Sequence, residues 1–151
     1  MNYLFSNKFK KIGWALFGIG ILLGIVHLFV EESPSFLDVT TFSLIGDTFV
    51  EGSHSFSLIQ NNILDEISAL FIIVGGLFAA FSKEKYEDEF ISKIRLESLV
   101  WATYFNYGIL LLSVLFVYGL PFFWILMFNM FTTLIIFLVK FNIALGKIKK
   151  N

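Results

Sequence analysis

The residues with the widest chemical scope could converge at the far end of the first apolar run. His27 and Glu31 are four apart, which puts them on one helical face, and Glu32, His54, Asp65 and Glu66 could converge there. An imidazole among several carboxylates is a donor set for Zn²⁺ or Mn²⁺. Two readings of His27, Glu31, Asp65 and Glu66 stay open: a metal site, or a histidine paired with Glu31 among hydrated acids. No HExxH accompanies them, so the second is the expectation and no cofactor is expected.

Other chemistries are excluded by residue type. With no Cys there is no thiol redox centre, and with only His27 in an apolar run there is no facing histidine pair for haem. The interior of the apolar runs holds no Asp or Glu to carry protons, and neither a Ser/His pair nor an Asp pair for proteolysis can be assembled there. A net charge of −1 offers no basic patch for nucleic acid. The chain reads as non-enzymatic.

The remaining polar and small residues point to packing. Asn106, Ser113, Asn129, Thr132 and Thr133 interrupt apolar runs, and an amide facing lipid would be costly. Asn106 is therefore expected to face a hydroxyl or carbonyl at the depth of Thr132 and Thr133. Gly20 and Gly24 form a small-xxx-small pair, as do Gly75 with Ala79 and Gly76 with Ala80. Such pairs let helix backbones approach closely in a membrane. They fit packing within the chain or contact with a second copy.

These residues must be positioned by membrane-spanning helices. Of 151 residues 57% are hydrophobic, 19% aromatic and only 15% charged, with mean hydropathy +0.80. Apolar runs cover about 12–30, 63–81, 99–120 and 122–139, each near the length that crosses a ~30 Å hydrocarbon core. The second is short unless Asp65 and Glu66 lie at headgroup depth. The fold class expected is all-α: a polytopic membrane protein of four transmembrane helices arranged as two antiparallel hairpins, one single domain.

All 11 basic residues lie before the first run, between the second and third, or after the fourth. The positive-inside rule then places both termini in the cytoplasm. The first run lacks a small-x-small cleavage pattern, so it reads as a retained span rather than a signal peptide. Trp14 and Trp101 fall at inner ends, and Tyr118 and Trp124 at outer ends.

Between the second and third spans, Lys85, Glu89, Lys93 and Glu97 alternate in sign every four residues. This predicts a cytoplasmic amphipathic helix over 83–98 running into the third span, with Tyr86, Phe90 and Ile94 as a partner-facing stripe. The outer segment 31–62 has no basic residue. Its alternation at 42–44 and 55–58, with Gly46-Asp47 and Glu51-Gly52 as breakers, predicts a short hairpin or cap. Asn62 is expected to cap the second helix.

The strings Ser82-Lys-Glu-Lys-Tyr-Glu-Asp-Glu-Phe-Ile, Ile94-Arg-Leu-Glu-Ser, Asn129-Met-Phe-Thr and Lys140-Phe-Asn carry a family likeness. Over about 61–145 the chain resembles a family of uncharacterised small inner-membrane proteins of Bacteroidota. The resemblance implies a bacterial inner membrane and supplies no activity. The expected partners are the lipid bilayer and another membrane protein or a second copy. Three functions stay open: an accessory, sensory or regulatory subunit; a transporter or channel subunit that oligomerises; or a metal-dependent enzyme.

Overall fold

The computed structural model describes residues 3–30, 37–48 and 52–150. They form α1 (Asn7–Phe29), β1 (Asp38–Thr48), β2 (Gly52–Asn62), α2 (Leu64–Phe81), α3 (Glu89–Phe116) and α4 (Leu120–Lys150). All four helices are long and apolar enough to cross a membrane. Burial within the molecule accounts for 33% of the apolar window in α2 and only 11% in α4. Most of the remaining surface is apolar, which suits hydrocarbon and not water.

Helices α1 and α2 lie against each other along their length, and small residues make this possible. A Cβ on Gly13 would stand 2.5 Å from the Ala79 nitrogen, and one on Gly75 would stand 2.4 Å from the Phe17 nitrogen. Gly20 meets Ile72 and Gly24 meets Ser68, so rising numbers on α1 match falling numbers on α2. The Ser68 hydroxyl donates to the Gly20 carbonyl at 2.9 Å across this seam. Gly76 turns the other way and meets Leu134 of α4 as well as Phe17.

Helices α3 and α4 are joined by a tight connection in which Gly119 takes φ +77°. That left-handed conformation suits glycine, and Pro121 follows in the first turn of α4, where its missing N–H costs nothing. The turn lies at 117–119, so α4 starts slightly before the expected span and runs well past it to Lys150. The core sits towards the basic ends of the helices: Phe17, Ile72, Ala79, Ala80, Ala102, Phe137, Leu138, Phe141 and Leu145.

Two expectations change. Residues 83–88 are not helical: α3 begins at Glu89, with Asp88 as its N-cap accepting from the Ile91 N–H at 2.8 Å. The cap and the acidic first turn start the helix there, which leaves Lys85 outside the predicted charge ladder. Within segment 31–62 the described residues form a ribbon of two 11-residue antiparallel strands, longer than the short hairpin expected. Its register runs from Asp38↔Asn62 to Thr48↔Gly52, so Gly46 and Asp47 pair with His54 and Ser53 instead of breaking the strand. Residues 49–51, and with them Glu51 of the second expected breaker, lie outside the described residues.

Candidate functional site

The most elaborate polar arrangement is built around Arg95, a residue that sequence alone groups with the exposed lysines. It is 1% exposed. Nη1 donates to the Ala80 carbonyl at 2.6 Å, and Nη2 lies 2.9 Å and 3.1 Å from the two Glu87 oxygens. The guanidinium also covers the Phe141 ring, 4.6 Å from its centroid. One side chain thus ties the end of α2, the 83–88 segment, α3 and α4.

Local backbone structure holds this knot in place. Glu87 Oε2 accepts from the Glu84 N–H at 2.8 Å, which folds the connecting segment onto itself. The N-terminal segment then clasps it: Phe5 N–H donates to Phe81, and Lys83 N–H donates to Phe5, both at 2.9 Å. Asn7 donates to the Lys83 carbonyl, and Lys10 is ion-paired with Glu84. Buried Ser82 directly follows α2, and buried Ser98 lies one turn after Arg95 on α3. The face of α3 that carries Arg95 continues as Ser98, Ala102 and Asn106, a run of small or polar residues at helical spacing. That run was the available sequence signal for a buried arginine. Around the knot, Lys83, Glu87, Asp88, Glu89 and Ser92 line an open hollow.

Further from the knot, the Asn106 and Asn129 amides bond each other reciprocally, at 3.0 Å and 3.4 Å. The expected partners Thr132 and Thr133 do not bond Asn106. The Thr132 hydroxyl donates to the Phe128 carbonyl of its own helix at 3.0 Å. Counting depth from an assumed span end placed α4 about one turn out of register. Ser113 and Thr103 likewise donate to carbonyls four residues back.

At the other end of α1, His27 Nε2 stands 2.9 Å from Asp65 Oδ1. The histidine expected to pair with Glu31 thus bonds an α2 carboxylate, while Glu31 and Glu32 lie outside the described residues. Among the described residues no cluster of three metal-ligating side chains forms. Asn62 accepts from the Leu64 N–H at 3.2 Å and donates to Asp38 at 2.8 Å, so it links the start of α2 to the ribbon.

The Tyr86–Phe90–Ile94 stripe is divided by the late start of α3. Tyr86 is 77% and Phe90 57% exposed, whereas Ile94 packs against the core. On α4, Lys140 lies over the Trp101 ring at 4.7 Å from its centroid, and Trp101 stacks on Phe105. Comparison with known proteins returned no matching family model, curated protein or solved structure.

Proposed function

We propose that this chain is a multi-pass protein of a bacterial inner membrane, working as a non-enzymatic accessory or regulatory subunit. Its helices cross as two antiparallel hairpins, with both termini and residues 82–88 in the cytoplasm. The segregation of lysine and arginine supports this orientation. The bacterial inner membrane rests on the motif resemblance over about 61–145.

One observation carries the functional reading. Ser68, Asn106 and Asn129 within the spans bond partners on a neighbouring helix of the same chain, whereas Tyr86 and Phe90 stand exposed beside the Arg95–Glu87 knot. Asn106, Asn129 and Ser68 serve to join helices, and the Gly-based seam between α1 and α2 does the same. A large aromatic pair held out at the cytoplasmic boundary by Arg95 and Glu87 is suited to dock another membrane protein. Aromatic anchors of this kind concentrate binding energy at interfaces.

The test is isolation from native membranes in a mild detergent. The wild-type chain is expected in a particle larger than itself. Tyr86→Ser with Phe90→Ser is expected to release it as a folded, smaller species. A wild-type chain that migrates alone, or a particle untouched by the two substitutions, would overturn the docking reading.

A further inference from the structure

Helix α2 is the shortest of the four, and its basic end is fixed in height against its neighbours. The Ala80 carbonyl accepts from Arg95 at 2.6 Å, and Phe81 stacks on Phe137 with ring centroids 5.6 Å apart. That end is therefore level with the polar boundary of α3 and α4, where Arg95 and Lys140 stand. From Phe81 to Glu66 the helix rises only about 22 Å, at about 1.5 Å per residue. The apolar stretch of α4 from Val139 back to Leu120 rises about 28 Å by the same measure. A bilayer's hydrocarbon core is about 30 Å thick. Tilt would shorten the reach of α2 further. The deficit of about 6–8 Å falls at the acidic end.

The polar groups found there are not hidden inside the molecule. Glu66 is exposed and heads the same helical stripe as Leu70, 57% exposed, and Leu77, 39% exposed. Positions spaced in this way share one face, and on this helix it is the face turned to lipid. Asp65 beside it bonds His27 yet stays 60% exposed. Beyond them the chain passes through Ile63 straight into the ribbon, whose root is Asn62 bonded to Asp38. The helix has no apolar continuation that could fill the outer leaflet.

We propose that the outer leaflet is drawn down around α2, so that the molecule's hydrophobic belt is about one helical turn shallower there than around α3 and α4. The surface formed by Glu66, Leu70 and Leu77 is a contact for a locally thinned bilayer. Thinning a bilayer costs little per ångström, whereas placing an exposed carboxylate in hydrocarbon is expensive. Water and headgroups therefore descend to Glu66. The same one-sided step gives His27 and Asp65 access to the aqueous side.

The inference rests on the membrane-spanning reading, and the experiment separates the two. The full chain is reconstituted into phosphatidylcholine vesicles with myristoleoyl, oleoyl or erucoyl chains, and flotation checks its association. Glu66→Cys and, separately, Leu111→Cys are reacted with a membrane-impermeant maleimide. Leu111 is 60% exposed and lies at a similar rise from Arg95 as Glu66 does from Phe81. In oleoyl vesicles Glu66→Cys is expected to react at least about tenfold faster, since water reaches one and hydrocarbon covers the other. Glu66→Leu, which extends the apolar stripe, is expected to move the acyl length of greatest thermal stability towards longer chains. Equal labelling rates, or an unmoved optimum, in a protein that floats would overturn the thinning alone. Failure to float in every lipid would overturn the membrane reading as well.

Discussion

Arg95 is charged and almost fully enclosed, and its stability depends on acceptors that replace water. Glu87 supplies two, and the Ala80 carbonyl supplies a third. Breaking a buried pair by removing one partner typically costs about 3–5 kcal/mol, because the other charge is left without compensation. Glu87→Gln is therefore expected to destabilise the protein by about that amount, read from SDS-induced unfolding in mixed micelles. Adding Arg95→Met should recover part of the loss, since it removes the orphaned charge. The Asn106–Asn129 pair works at a lower energy. Asn106→Leu should cost at most about 1–2 kcal/mol, and its effect should be strongly non-additive with Asn129→Leu. With Thr132→Val the effects should add, because that hydroxyl serves its own helix. Sequence made Asn106 legible as an inward-facing amide because a lone amide in an apolar run must find a partner. The partner itself was not legible, because a shift of one turn in α4 exchanges Thr132 for Asn129. Arg95 was hidden for a different reason: charge segregation counts basic residues by segment and is blind to the face on which each one lies.

Glycine has opposite roles on different helix faces, and substitution separates them. At Gly75 and Gly13 a Cβ would come within 2.4 Å and 2.5 Å of the facing backbone, which no side-chain rotation can relieve. Gly75→Ala and Gly13→Ala are each expected to force α1 and α2 apart and lower the melting temperature in detergent. At Gly18 and Gly108 nothing stands within 4 Å. Alanine there should be neutral or should stabilise by about 0.5–1 kcal/mol through helix propensity. Opposite signs at the two pairs would locate the α1–α2 seam, and equal effects would contradict it. The four long helices were legible because uninterrupted apolar runs near bilayer length have few alternatives. The connecting segment was less so. Alternating charges at 85, 89, 93 and 97 suit a helix, but Asp88 as N-cap and the backbone pairing of Phe5 with Phe81 and Lys83 favour an extended start. The ribbon was underestimated because glycine weakens a strand without forbidding it, and Gly46 remains within the register.

At the scale of the molecule, α1 pairs with α2 and α3 with α4, and the two pairs join through Gly76–Leu134, Phe81–Phe137 and the Arg95 knot. Most of these junctions lie by the basic loop and the basic start of α1, so the contacts that join the two pairs share one end with the positive charge. That coincidence makes orientation and packing one question. If the basic end faces the cytoplasm, the Arg95 knot and the exposed Tyr86 and Phe90 are presented to cytoplasmic or membrane partners, and the ribbon projects outward from the start of α2. The alternative orientation would carry the lysines of three separate segments across the membrane, against the bias that sets topology. Single cysteines decide between them, since the protein has none of its own. Ser53→Cys in the ribbon is expected to react with an impermeant thiol reagent on intact cells. Ser92→Cys on α3 and Lys147→Cys on α4 should stay protected until the membrane is permeabilised. Labelling of Ser92→Cys in intact cells would invert the molecule, moving the exposed Tyr86 and Phe90 to the outside and the short, acidic end of α2 to the cytoplasmic leaflet.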